Sequence, residues 1–395
     1  MTGGNYALAW FLYSLYSCFL VTLGAAMTLY WGPGASGSGV AETLAYVNGV
    51  NYNGLIGWPT LITKCLGVVF AVAGNIKVGK EGPLAHIGSV IGVIILYLPW
   101  PLNRAFRNDR DKRIMVAAGA GVGVSVAFGA PIGGVLFAYE ISKSNAFWTF
   151  GIAWRTFMAT SLANFILTIW FGLESGDTTS VTNSGLLKFA DIDKNNYDLG
   201  DVIIFVIIGI LGGLLGSLYI FINGNLAKFR KYYVKAKWMK LIEASFFGFT
   251  GATIIFFLPQ LFHGYCMKPP PGVDPVVVHR YKCPVDGDEN PLATLFFSDE
   301  GKTVSYLLTS FKQGTAFNFW VSLVFFLVWY FFCAVEYGIA VPAGLFFPGL
   351  LIGASLGHFV GLFLNKIDVL KEADMVESMS VFAIVGGVAV LVGYT

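Results

Sequence analysis

Of the 395 residues, 56% are hydrophobic and only 12% charged, too few polar groups to coat a soluble core, so the chain is read as an integral membrane protein. A net charge of +2 excludes a global field for nucleic acid, and any electrostatic attraction has to be local.

In chain order, the run 6 to 31 is long enough to cross a bilayer and reads as a spanning helix rather than a cleavable signal. "GPGASGSGVAETL" (32 to 44) then sets flexible glycines and Ser36 and Ser38 ahead of an apolar stretch. Shorter glycine-punctuated apolar pieces follow at 54 to 75 and 82 to 98, the second headed by "GKEGPLAHIG" (79 to 88). After the basic loop "RAFRNDRDKR" (104 to 113) come two more short pieces, 114 to 125 and 130 to 142, and a spanning run at 148 to 172. A polar, acid-leaning segment (173 to 199) leads to spanning runs at 202 to 222 and 241 to 258, separated by the basic loop "AKFRKYYVKAKWMK" (227 to 240). Segment 259 to 303 is again polar, a spanning run at 317 to 334 follows, and short pieces at 345 to 364 and 380 to 393 close the chain. The basic loops are expected on the cytoplasmic side and the two acid-leaning segments opposite.

Cys18, Cys65 and Cys333 lie in apolar stretches and read as small buried side chains. Cys266 and Cys283 fall in the segment placed outside, where a disulfide between them is predicted.

Short apolar segments broken by glycine or proline mark discontinuous helices whose ends lie inside the membrane, where bare N–H and C=O groups line a cavity or meet an ion. "GKEGPLAHIGSVIG" (79 to 92) and "GLFFPGLLIGASLG" (344 to 357) share one such pattern without a gap. Gly79, Pro83, Gly88 and Gly92 match Gly344, Pro348, Gly353 and Gly357 at a constant offset of 265 residues. Each copy reads as a turn, a helix-starting proline and a glycine face for close packing, and the two copies suggest related repeats meeting at a central site.

Three such helix starts, near Ser38, Glu81 and Leu345, would aim backbone N–H donors and positive dipole ends at one point and bind a small, partly dehydrated anion there. Glu81 sits at the head of its helix, where a carboxylate is favoured for the same reason as the anion. It can therefore occupy the anion's place and leave when protonated or displaced, which makes it a gate, and Lys80 beside it can draw anions to the entrance.

"GSGVAE" (37 to 42), "GKEGP" (79 to 83) and "GLFFP" (344 to 348) resemble the three signature motifs of the CLC family of chloride channels and chloride/proton exchangers, and "AFGAPIGGVLFAYE", "RNDRDKR" and "WRTF" (154 to 157) resemble its eukaryotic members. The resemblance implies an all-α integral membrane protein with a CLC-type fold, two inverted-topology repeats and discontinuous, tilted helices, assembled as a homodimer with one anion pore per subunit. It implies a chloride site at Ser38 and Gly39 and the backbone N–H groups of Leu345 and Phe346, a gate at Glu81, and a pore entrance at Lys80 and Gly82. Serine at position 38 favours chloride, since nitrate-preferring members resemble a version with proline there.

Three departures from the family pattern stand out. Ala41 stands where the first motif usually has proline. Glu140 is followed by Ile141 where exchangers carry a second acid as the inner proton donor, and isoleucine cannot carry a proton, so Ile141 favours a gated passive channel over the alternative, a chloride/proton antiporter. The resemblance also implies further membrane helices after "FAIVGGVAVLVGYT" and one before the start. The expected organisation is a first repeat over 1–190 and a second, incomplete one over 191–395, with no cytoplasmic regulatory domain.

"GAGVG" (119 to 123) imitates a dinucleotide-binding turn but lacks the preceding strand. His86 and His358 read as packed histidines, and His263 and His279 near the outer cysteines do not make zinc the expected reading. With no nucleophile and base pair and no metal cluster, an enzyme is not expected. No cofactor is implied beyond chloride as ligand, with protons added in the antiporter alternative, and the partners are the lipid bilayer and a second copy, not nucleic acid. The location is a multi-pass one in a plasma or organellar membrane.

Overall fold

The computed structural model describes residues 5–99, 106–143, 148–175, 199–268, 279, 281–285, 288–309, 318–367 and 372–394. Among them the chain forms α1 (Tyr6–Tyr30), α2 (Val40–Val47), α3 (Trp58–Ala73), α4 (Glu81–Tyr97), α5 (Asp109–Phe128), α6 (Pro131–Ser142) and α7 (Phe150–Ser175). The second half supplies α8 (Leu199–Tyr233), α9 (Lys237–Leu261), α10 (Pro291–Phe297), α11 (Glu300–Thr309), α12 (Phe319–Glu336), α13 (Phe346–Lys366) and α14 (Glu372–Tyr394). The described residues hold no β-strand, only isolated bridges, two of which join the helix-starting loops at Gly37 and Pro342 and at Gly79 and Gly344.

Six of these helices, α1, α7, α8, α9, α12 and α13, are long and apolar enough to cross a membrane. By contrast α4 has 17 residues, about 26 Å at the helical rise, just short of the hydrocarbon thickness. The chain is an integral, multi-pass membrane protein. Helix starts follow local chemistry: Asn108 caps α5 by accepting from the Asp111 N–H at 2.8 Å, Asn290 caps α10 and Asn318 caps α12 in the same way.

The glycine pattern shared by the two copies translates into one packing mode used twice. A Cβ at Gly88 would fall on the Gly119 carbonyl of α5, and one at Gly353 would fall on the Gly386 carbonyl of α14. Gly92 lies against the Met115 carbonyl and Gly357 against that of Phe382. Helices without hydrocarbon-driven attraction hold together by such close backbone approach, so α4 lies on α5 as α13 lies on α14. The division expected near residue 190 lies outside the described residues, as does most of segment 173 to 199.

Three expectations differ from the structure, the first being the basic loop 104 to 113, whose last five residues already belong to α5. The basic stretch 227 to 240 is not a loop: α8 runs to Tyr233 and α9 starts at Lys237, so its charges ride on helix ends. Lys, Arg, Ala and Leu are good helix formers, and the cations complement the carboxyl end of α8. Arg230 turns inward from that end, pairing with Glu243 at 2.5 Å and donating to the carbonyls of Val335 at 2.5 Å and Tyr337 at 2.7 Å, which fastens the C-terminal end of α12 to the same face. Segment 259 to 303 is also more than a polar loop, because α10 and the start of α11 fold within it. Leu292, Leu295 and Phe296 of α10 join a large apolar cluster with Phe325, Trp329, Leu351 and Phe382. The predicted disulfide between Cys266 and Cys283 is formed, with Cα atoms 5.8 Å apart.

Gly353→Ala is expected to lower stability by about 1–3 kcal/mol, because a methyl there has to displace backbone. Gly209→Ala, whose Cβ meets nothing within 4 Å, serves as the tolerated comparison. Thermal melting of the two detergent-solubilised variants checks this, and equal melting would contradict the packing described.

Candidate functional site

Three loops that precede helices meet at one place, and backbone pairing holds them there. Gly79 and Gly344 exchange both hydrogen bonds, N–H to O=C, at 2.7 and 2.8 Å. Gly37 donates to the Val341 carbonyl and accepts from the Ala343 N–H, both at 3.1 Å. Lys64, 1% exposed, reaches out of α3 to donate from Nζ to the Gly37 carbonyl at 2.8 Å. Each interrupted backbone segment thus has its polar groups answered by another of the three.

Ser38 is partly exposed, and its Oγ accepts weakly from the Val40 N–H at 3.3 Å, a half-formed cap for α2. Tyr337 faces the same hydroxyl. Beside it, Gly39 adopts φ +78°, and a Cβ there would enter the ring of His86. The His86 Nε2 lies 3.1 Å from the Leu55 carbonyl, so this histidine is packed under the loop, in line with the sequence reading. Gly82 closes the approach from α4: a Cβ there would come within 2.9 Å of the Ser38 Cβ and 3.5 Å of the Gly344 Cα. Ser38, Gly39, Gly82 and the start of α13 are therefore in one place.

Glu81 is the first residue of α4 and is 3% exposed. Its carboxylate lies over Gly79, where a Cβ would strike Oε2, and faces the backbone N–H groups of Glu81, Lys80 and Phe347. Phe347 belongs to the first turn of α13, whose opening N–H groups have no intrahelical acceptor. One carboxylate thus sits at two helix N-termini, its own and that of the other copy of the pattern. Among the described residues Oε2 has no hydrogen-bond partner. Leu345 is the N-cap of α13 and Phe346 its first residue, with the Phe346 ring tilted against that of Phe128 at a centroid distance of 4.4 Å. Lys80 interacts electrostatically with Glu81 and also with Glu300 of α11.

Ile141 stands apart from this cluster. It is 5% exposed and packs in an apolar group with Val47, Val93, Val116, Ala117 and Ala120. The preceding Glu140 points outward to Lys143, both side chains more than half exposed. Sequence reasoning missed Lys64, Tyr337 and Glu300. A lysine within the apolar run 54 to 75 was the available signal for the first; Tyr337 and Glu300 reach the site only through the tertiary fold. Among the described residues no group of acids, histidines and cysteines could hold a metal ion.

Gly39→Ala is expected to cost about 1–2 kcal/mol from the left-handed backbone alone, and more from the His86 ring. Adding His86→Ala is expected to recover the steric part but not the backbone part. Melting of both variants in chloride-containing detergent checks this, and a fully tolerated Gly39→Ala would contradict the loop geometry.

A family model described as voltage gated chloride channel matches residues 18–395. Among curated relatives, the putative chloride channel-like protein CLC-g of Arabidopsis thaliana is 33% identical over 415 residues, covering 100% of this chain and 52% of that protein. The H(+)/Cl(-) exchange transporter 7 of Mus musculus is 32% identical over 399 residues, covering 99% and 48%. The chain spans about half the length of these curated relatives. Among solved structures, a eukaryotic CLC transporter superposes with a TM-score of 0.68 at 19% identity, over 99% of this chain and 58% of that one. A slow cyanobacterial Cl-/H+ antiporter gives 0.68 at 18% identity, over 98% and 81%. With the fold shared by these structures and the family match extending over nearly its whole length, the chain belongs to the CLC family of voltage gated chloride channels.

Proposed function

We propose that the chain carries chloride across its membrane in exchange for protons. The observation that carries this reading is the Glu81 carboxylate lying against the first turn of α13 as well as at the head of α4. An anion held by the Ser38 hydroxyl and the N–H groups of Leu345 and Phe346 competes with that carboxylate for the same positive helix ends. Chloride entry requires the carboxylate to leave, and protonation removes the charge that holds it there, so proton uptake and chloride entry become alternating events on one seat. Lys80 supplies the local positive potential at the entrance, and Gly82 leaves room beside Ser38.

Ile141 had favoured a passive channel, because the inner proton donor of exchangers is an acid at that position. The relatives weigh the other way: proteins named H(+)/Cl(-) exchange transporter 7 from Mus musculus and Homo sapiens are each 32% identical to this chain. We therefore prefer the exchanger, working as a homodimer with one pore per subunit. The transported ions are the only ligands this mechanism needs, and no residue is assigned an enzymatic role.

In proteoliposomes with fixed chloride and an imposed pH gradient, the reversal potential is expected to shift with the proton gradient. Glu81→Ala is expected to abolish that shift, lowering proton movement at least about tenfold, while anion flux persists. A reversal potential indifferent to pH would contradict exchange, and loss of flux in a folded Glu81→Ala protein would contradict the gate.

A further inference from the structure

An anion seat discriminates between ions through where its polar groups stand, and the Ser38 hydroxyl stands on a loop. Ser38 does little to fix that loop itself, since its Oγ only accepts from the Val40 N–H at 3.3 Å. The residues on either side of it are fixed instead. Gly37 is held by the backbone of Val341 and Ala343 and by the Lys64 ammonium. Gly39 has its carbonyl engaged twice by Thr43, from the backbone N–H at 2.9 Å and from Oγ1 at 2.6 Å, and its Cα is closed off by His86.

His86 lies one turn beyond Gly82 on α4, and the two make consecutive contacts along one helix face, Gly82 against Ser38 and His86 against Gly39. The ring meets Gly39 with its Nδ1 edge, in the space that any side chain at position 39 would fill. At the far side of the ring Nε2 stands 3.1 Å from the Leu55 carbonyl, which only accepts, so Nε2 carries the proton and Nδ1 keeps its lone pair. His86 is 1% exposed, and among the described residues its Nδ1 has no hydrogen-bond partner. Burying a nitrogen unpaired costs stability, which packing alone does not call for. Leu55, 4% exposed, belongs to the loop between α2 and α3. The ring thus spans from α4, which carries Glu81 at its head, to the loops on both sides of α2, with a hydrogen bond at one end and a backbone contact at the other.

We propose that His86 is a specificity-determining positioning residue, which fixes Gly39, and with it the Ser38 hydroxyl, against α4 and so sets which anions the seat admits. It rests on the anion seat given above, whether or not protons are exchanged. His86 acts through Gly39 and not on the ion. With the ring in place the hydroxyl keeps its distance from the heads of α4 and α13. With the ring gone Gly39 gains room, the hydroxyl is no longer fixed, and the seat adapts to a larger anion instead of rejecting it.

The test is uptake of radiolabelled chloride into proteoliposomes in competition with unlabelled nitrate, a preference that does not depend on how much of the protein is folded. His86→Gln keeps an N–H able to reach the Leu55 carbonyl but vacates the place of Nδ1 against Gly39. His86→Asn fills that place but loses the reach to Leu55. Each loosens one end of the strut and is expected to lower the preference for chloride over nitrate at least about threefold. An unchanged preference in either folded variant would leave His86 a packing role alone and overturn the proposal, as would failure of both variants to fold. Ser38→Ala separates this from the seat itself. It is expected to shift the same preference, and an unchanged value there would instead overturn the anion seat on which the proposal rests.

Discussion

Backbone polar groups inside a bilayer-spanning protein have to be answered by other protein groups, and the whole centre of this molecule follows from how that is done where helices are interrupted. The loops before α2, α4 and α13 each leave N–H and C=O groups open, and they answer one another: Gly37 with Val341 and Ala343, Gly79 with Gly344. Because the pairing is mutual, no one loop can keep its geometry without the others. The N–H groups at the starts of α4 and α13 face the Glu81 carboxylate, and in the proposed mechanism they also form the seat of the anion.

On that reading the seat is made electropositive without an arginine among its residues. Each helix start contributes roughly half a positive charge, felt strongly because little water screens it. Lys64 holds the Gly37 carbonyl from behind, so that its nitrogen is spent on the loop. In the proposed seat, backbone dipoles and a hydroxyl would bind an anion less firmly than a fixed ammonium and so let it go. The Glu81 carboxylate faces the same helix starts, which is why the proposed mechanism makes the side chain and the ion competitors.

Much of the frame was legible in the sequence because its signals are local. Spanning helices announce themselves by length and apolarity, and the close-packing faces of α4 and α13 by glycines at fixed spacing, although their partners α5 and α14 emerge only from the fold. Cys266 and Cys283 were legible from their shared polar segment. What escaped has a common cause. The segment α10 is only 7 residues long, too short for a periodic pattern, and it is buried by tertiary packing rather than by its own amphipathicity. The extension of α8 through basic residues escaped because charge was weighed and helix propensity was not. The backbone N–H of Lys77 and the Glu336 carboxylate that accepts from it are 259 residues apart, and nothing in either neighbourhood names the other.

The central claim remains the convergence of helix starts on one anion that shares its place with Glu81. Anomalous diffraction from crystals soaked in bromide tests it most directly. A peak between the Ser38 hydroxyl and the N–H groups of Leu345 and Phe346, gaining a second peak at the carboxylate position in Glu81→Gln, is the expected result. Bromide bound elsewhere, with that volume empty in both proteins, would contradict it.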